Sequence, residues 1–317
     1  MFRLTFLGTS SGIPTKNRNV SALAVEWVAN DAQKCGDWLL VDCGEGTQHQ
    51  LMKTDLQLKK LKAILITHLH GDHCFGLAGL LSSLAMHGRT EPLTIIAPKG
   101  LIKLLDTYSL VNELYFTYPI DFKDIEGFLS DKITFIFGKE LTMSIEIAEL
   151  SHRMPSYAFA LTATMDKQKL DGERLTALNI DKKDWGQAIK DDPSLVVTQT
   201  NRQKIVIAGD NDTPSLLSDL VVGAMALVHE CTYIQSVLDK ILAKGVFDPK
   251  HTTARAIGEF AQMAKLPCLI LTHFSARFSL FDNPASDTPN MGHIRTEVQT
   301  HYRGKLYLAE DFMQIVI

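Results

Sequence analysis

The sequence predicts a layered α/β protein with its reactive side chains at strand ends. Two observations carry that expectation. Short apolar runs alternate with helix-like segments through both halves of the chain, the pattern of strands and helices packed in layers. Four of those runs empty into a His or an Asp, at His68, His152, Asp210 and His273. Independent coincidence is a poor account of four such endings. One site built on the edge of a rigid sheet explains all of them.

The densest ending is Thr67-His68-Leu69-His70-Gly71-Asp72-His73, directly after the apolar run Ala63-Ile64-Leu65-Ile66. His68 and His70 lie two apart and can converge on one ion from an extended turn. Asp72 and His73 follow at once and naturally face a second ion. Imidazole and carboxylate donors suit Zn²⁺ and also Mn²⁺ or Fe²⁺, so the residues do not name the metal. The bland alternative is a polar loop that happens to be His-rich. A run with each of these positions filled is too specific for that.

At 317 residues the length allows one large domain or two small ones. A hydrophobic share of 45% with 21% charge fits a globular chain with ample core. No run of ~18 apolar residues marks a membrane span. Met1-Phe2-Arg3-Leu4-Thr5-Phe6 enters a strand pattern at once and lacks the order of a secretory signal. Cys35, Cys43, Cys74, Cys231 and Cys268 form no C-x-x-C pair. That points to a reducing, cytoplasmic setting rather than a disulfide framework or a zinc ribbon. Cys43 and Cys74 read as small buried hydrophobes. A net charge of −4 does not advertise a nucleic-acid binder, although a whole-chain sum can hide a basic patch.

In chain order, residues 2–7 alternate as a strand and end at Gly8-Thr9-Ser10-Ser11-Gly12. The loop Pro14-Thr15-Lys16-Asn17-Arg18-Asn19 follows. Small residues there let backbone N–H groups approach an anion, and Lys16 and Arg18 add charge. Taken alone, the loop reads as readily as a solvated turn. Residues 20–28 and 37–42 read as a strand pair, the second ending at Asp42 before a Gly-rich turn. Asp42 suits a helix cap or an outer hydrogen-bond partner for a metal-binding His. A helix over 46–54 precedes the strand into the His68 run, and 75–86 reads as an apolar helix beneath it. A strand at 93–97 and a helix over 98–110, opened by Pro98, come next. The aromatic stretch 111–131 shows no clear period.

Strands at 133–137 and 142–150 follow, the second running into Ser151-His152-Arg153. By itself His152 reads as a surface residue. It becomes a ligand candidate because His68 and His70 need a third protein partner. A strand at 156–164 leads into a polar stretch, 165–202, read as an inserted arm or lid. From Asp166 to Asp192 it holds seven acids and six bases, so it is no electrostatic handle for phosphate backbones. Residues 204–208 form another strand, emptying into Gly209-Asp210. The run 222–228 leads to His229-Glu230-Cys231-Thr232. A helix starting near Pro249-Lys250-His251 runs to about 264, and 269–272 is a strand ending at His273. A loop at 281–292, a short helix near 293–301 and strands at 305–309 and 312–316 close the chain.

Several of these pieces together resemble the metallo-β-lactamase superfamily, and within it the ribonuclease Z family of tRNA 3′-processing endonucleases. They are Phe6-Leu7-Gly8-Thr9-Ser10, the Lys16/Arg18 loop, Asp42-Cys43-Gly44-Glu45-Gly46-Thr47-Gln48, the His68 run, Gly209-Asp210, His229-Glu230, His251-Thr252-Thr253 and Leu271-Thr272-His273-Phe274-Ser275-Ala276-Arg277. The likeness spans nearly the whole chain. It implies a single domain over 1–317, an αββα sandwich, with 165–202 inserted. It also implies two divalent ions, zinc before manganese. His68, His70 and His152 would hold one, Asp72, His73 and His273 the other, with Asp210 bridging. Asp210 stands where true β-lactamases carry a Cys.

The implied reaction is phosphodiester hydrolysis by a hydroxide activated between two metals. Asp72 would take up the proton. His251, oriented by Glu230, would bond the phosphoryl oxygen or protonate the leaving oxygen. Lys16, Arg18 and Arg277 would hold flanking phosphates. The family also implies a homodimer in which one subunit's arm serves the other's cleft.

The chain departs from the family in its arm. Asp181-Lys182-Lys183-Asp184-Trp185-Gly186-Gln187 has no Gly-Pro element and balanced charge. The family's Gly-Asp-Thr is Gly209-Asp210-Asn211 here. These departures leave a second expectation open, a phosphodiesterase of the same core acting on small or non-tRNA substrates. A thioester or lactam hydrolase is a third, disfavoured by His251 and Arg277. A non-catalytic interaction protein is a fourth, disfavoured because all seven ligand positions are filled.

Overall fold

In the computed structural model, which describes residues 1–28, 35–113, 115–137, 141–179, 181, 184–245 and 247–317, two seven-stranded sheets face each other. The first half of the chain supplies β1 (Phe2–Gly8), β2 (Ser10–Ser11), β3 (Ala22–Trp27), β4 (Trp38–Val41), β5 (Leu61–Leu65), β6 (Leu93–Ala97) and β7 (Ile120–Asp124). The rest supplies β8 (Ile133–Phe137), β9 (Leu141–Leu150), β10 (Ser156–Leu170), β11 (Val196–Ala208), β12 (Ala226–Glu230), β13 (Cys268–Thr272), β14 (Phe274–Ser275), β15 (Lys305–Leu308) and β16 (Gln314–Val316). The sheet orders are β16-β1-β3-β4-β5-β6-β7 and β15-β13-β12-β11-β10-β9-β8, with β14 and β2 as a separate pair. The helices are α1 (Thr47–Leu51), α2 (Gly71–Cys74), α3 (Leu77–Met86), α4 (Gly100–Asn112), α5 (Gly172–Ala177), α6 (Trp185–Asp191), α7 (Gln235–Leu242), α8 (Ala254–Met263) and α9 (Met291–His301).

Strand alternation sorts side chains into layers. Phe2, Leu4 and Phe6 share the inner core with Ile145, Phe159, Ile207 and Ile270 of the opposite sheet. The other face of the first sheet packs Leu40, Ile64 and Ile95 with Leu80 and Leu84 of α3 and Leu101 of α4. The other face of the second packs Val206, Leu227 and Leu269 with Ile257 and Phe260 of α8 and Ile294 of α9. Helix, sheet, sheet, helix is thus the layer order, an αββα sandwich. Cys43 and Cys74 are buried in the outer core of the first sheet.

The structure adds α7 and the β2–β14 pair to the sequence reading and departs from it in three further places. The unplaced stretch holds β7, an edge strand whose residues are mostly half-buried, so no alternation marks it. β10 does not stop near 164. It pairs with β9 as far as Met165 and with β11 as far as Leu170, so β10 and β11 leave the sheet as a two-stranded ribbon. The run 222–228 is strand only from Ala226, because Val222 lies exposed in a turn at Gly223, whose φ is +73°.

Candidate active site

Five strands deliver side chains to one edge of the sandwich. β5 leads to Thr67 and His68, β9 to His152, β11 to Asp210 and β13 to His273, while β12 ends on Glu230. The one-turn helix α2 adds Asp72 and His73, and His70 stands just before it. The chain bends sharply here. Asp42, Lys250 and His273 hold positive φ values of 61°, 57° and 58°.

Among the described residues three overlapping groups of potential ligands converge: His68, His70, His152 and Asp210; Asp72, His73 and His273; and Asp210, His251 and His273. His70 Nδ1 lies 3.1 Å from His68 Nε2 and 3.2 Å from His152 Nε2. In the second group, His273 Nε2 lies 3.3 Å from both His73 Nε2 and Asp72 Oδ2. Asp210 stands between them. Its Oδ2 is 3.7 Å from His68 and 3.8 Å from His152, and its Oδ1 is 3.6 Å from His73 and 3.5 Å from His273.

The donor chemistry fits divalent cations. His152 Nδ1 donates to the Lys250 carbonyl at 2.7 Å, so Nε2 keeps its lone pair. His73 Nδ1 meets Asp42 Oδ2 at 2.7 Å. The Thr67 hydroxyl donates to the Asp42 carboxylate at 2.9 Å, so it accepts from His68 Nδ1 at 3.1 Å. The Thr232 hydroxyl likewise donates to Glu230 at 2.5 Å and accepts from His273 Nδ1 at 3.0 Å. Two threonines thus turn carboxylates into tautomer locks. Thr67 directly precedes His68 and Thr232 follows Glu230 by two residues, but only the fold shows their task. Asp42 is the outer partner of His73; α1 is capped at Gly46.

Charge at the site is polarised. Burial holds His68 and His70 below the ordinary histidine range. Burial also disfavours a charged His73, but Asp42, Asp210 and Asp72 outweigh it and raise the group to about 10. Burial works against a charged Asp72 too, yet His73, His273 and the Gly12 N–H, 2.7 Å from Oδ2, hold it far below the carboxylate range.

His251 lies beside this cluster, its Nδ1 3.0 Å from both oxygens of buried Glu230 and 3.6 Å from Asp210 Oδ2. Burial opposes the charge on both partners. Attraction wins, taking Glu230 down to about 2 and His251 up to about 9. Asn211 ties the neighbourhood together. Its N–H donates to Glu230 at 2.8 Å, its side-chain oxygen accepts from the Ser151 N–H at 3.3 Å, and its amide nitrogen meets buried His229 at 3.2 Å. The position where the chain departs from the Gly-Asp-Thr pattern is therefore a brace between the segments that carry Asp210, His152 and Glu230.

The Ribonuclease Z of Marinobacter nauticus is 40% identical over 322 residues, covering 97% of this chain and 94% of that protein. The Ribonuclease Z of Pseudomonas putida strain F1 is 38% identical over 326 residues, covering 98% and 95%. The chain belongs to the ribonuclease Z family. It is a metal-dependent hydrolase, and the full-length relatives favour the nuclease reading over the small-ester and lactam alternatives. Human tRNase Z, short form, has 27% sequence identity, a TM-score of 0.62 and 99% coverage of both chains. Residues 2–169 also match the family model described as Anti-Pycsar protein Apyc1, so that half belongs to that family as well. The matched half ends before Asp210, Glu230, His251 and His273.

The Lys/Arg loop of this ribonuclease Z family member divides its labour. Lys16 is exposed. Arg18 is not available to a flanking phosphate, which corrects the expectation from sequence. It is 3% exposed, donates to the Phe278 carbonyl at 3.0 Å and stacks on Phe274. Asn19 and Thr9 are fastened to Asp311 at 2.6 and 2.8 Å. Arg18 is an anchor, and Lys16 rides on the loop it anchors. Arg277 is exposed at the cleft mouth.

Proposed function

We propose that this chain removes the 3′ trailer from tRNA precursors as an endonuclease. Two divalent ions would serve, zinc before manganese. His68, His70 and His152 hold one in this reading, Asp72, His73 and His273 the other, and Asp210 both. The single observation that carries it is Asp210, with one oxygen towards each histidine group, beside the ion-paired His251. The names of the full-length relatives supply RNA as the substrate class, and that of the human tRNase Z narrows it to tRNA.

Ions held there would supply an acidified water for attack at phosphorus and neutralise the phosphoryl oxygens. The protein's own groups handle the protons and the substrate. Asp72, pinned by the Gly12 N–H, is a weak base where it sits, so it is positioned to accept a hydrogen bond from the attacking water and to take up its proton only in passing. His251 is protonated and fixed through Nδ1, so its Nε2 proton goes to the leaving oxygen. Lys16 and Arg277 steady neighbouring phosphates. The β10–β11 ribbon with α5 and α6 is the arm that meets the body of the precursor. Lys182 and Lys183 of the arm lie outside the described residues. We place the enzyme in the cytoplasm as a homodimer; among the described residues no helix is long and apolar enough to cross a membrane.

The test offers metal-loaded protein a tRNA precursor with a 3′ trailer and a small chromogenic phosphodiester. Trailer removal at a single internal bond supports the proposal. Turnover of the small ester without precursor cleavage overturns it.

A further inference from the structure

We propose that Arg153 and Phe247 form a subsite for one unpaired nucleotide, the one that carries the leaving oxygen. The inference rests on the reading of the chain as an RNA phosphodiesterase. An open cleft of about 570 Å³ reaches His70, His152 and His251. Its lining holds two arginines and two aromatic residues. Arg277 lies with its guanidinium 3.5 Å from the Ser275 hydroxyl, and the Tyr233 ring stands edge-on to His251 at 6.1 Å. Arg153, directly after His152, lies with its guanidinium carbon 5.4 Å from the centroid of the Phe247 ring.

The Arg153–Phe247 pair has no structural duty in view. Phe247 is 52% exposed, so burial does not explain the aromatic. Arg153 is exposed, and among the described residues no carboxylate lies within salt-bridge reach of it. An exposed ring with a guanidinium on it, beside the residues that handle phosphate, is the composition that binds single-stranded nucleic acid. The base stacks on the flat groups and the cation serves the phosphate. Phe247 and Pro249 lead directly into His251, the proton donor for the leaving oxygen. The nucleotide attached to that oxygen is therefore the one within reach.

The experiment is a cycle with two substrates. One is a precursor with all its bases, the other the same precursor with an abasic residue at the nucleotide 5′ to the scissile bond. Wild-type protein should lose about tenfold or more in kcat/KM on losing the base. The Phe247→Leu protein should start lower and lose less than about twofold, because the stacking partner is already gone. Arg153→Ala should raise KM and flatten the dependence of log kcat/KM on log salt by about one unit. Arg153→Lys should restore the salt slope without restoring the base preference. An equal drop in kcat/KM on removing the base in wild type and Phe247→Leu, or no base effect in either, overturns the subsite. Failure of wild type to cleave the complete precursor is a different result and overturns the proposed function itself.

Discussion

The strand-end site and the β10–β11 ribbon are built by opposite rules. At the site, His68, His73, Asp210, Glu230 and His273 are all at most 3% exposed. A second buried group holds the outer nitrogen of each of these three histidines. On the ribbon, residues 166–170 are all exposed, and the facing pairs Asp166–Thr200, Lys167–Gln199 and Gln168–Thr198 present no apolar side. Its tip is held by buried Leu175 and Leu195 and, at the surface, by contacts such as those of Arg174 to Asp192 and Ser194. Bond-making tolerates errors of tenths of an ångström, so it demands a rigid surround. The proposed task of the ribbon, meeting the body of a large substrate, demands reach, which a polar hairpin supplies at little cost to the fold.

The largest break in that comparison comes from the rigid region. His251→Ala should lower kcat by about 10²–10⁴-fold while the metal content is retained. In the parent protein the acid form of His251 is needed, and it is lost as pH rises through its pKa. Glu230, Asp210 and Asp72 raise that pKa to about 9. Activity should therefore fall on an alkaline limb no higher than about pH 9, since cations held by Asp210 weaken that carboxylate's pull. The limb should vanish in His251→Ala. A limb that persists unchanged would assign the proton to another group.

Removing the ribbon's tip sharpens the contrast from the other side. Leu170 pairs with Val196, so residues 171–195 can be replaced by a two-residue Asn-Gly hairpin turn. The loss in kcat/KM on a tRNA precursor should exceed the loss on a small phosphodiester by about tenfold, or 1.4 kcal/mol. Equal losses would mean that the ribbon supports the fold rather than the substrate.

The same contrast explains what could be read from sequence. The candidate metal-binding side chains are legible because four of them, His68, His152, Asp210 and His273, end apolar runs, as His68 follows Ala63–Ile66 and His273 follows Leu269–Leu271. Burial and chemistry write the same signal there. β7 and the outer half of β10 leave no such trace, since neither has a clean apolar face. Arg18 was misread for a different reason. Charge in a Gly-rich neighbourhood suggests an anion site, but sequence does not say which cation faces inward. Asn211, Thr67 and Thr232 act through other side chains across 18 to 41 residues, so no local pattern could assign them.

The smallest effects test the division within the Lys/Arg loop. Lys16 is solvent-exposed, so Lys16→Ala should leave Tm within about 1 °C, given that exposed substitutions shift stability by under ~0.5 kcal/mol. It should raise KM on RNA a few-fold and reduce the salt slope by about one. Arg18→Ala should do the reverse. It abandons the Phe278 carbonyl and empties a buried space above Phe274, at a cost of about 1–3 kcal/mol. Thermal unfolding should show that loss, while the salt slope stays as in the parent. Arg18→Lys should not rescue Tm, because a single ammonium cannot reproduce both the fork and the stack. A salt slope that responds to Arg18 and ignores Lys16 would reverse the assignment and return Arg18 to the cleft.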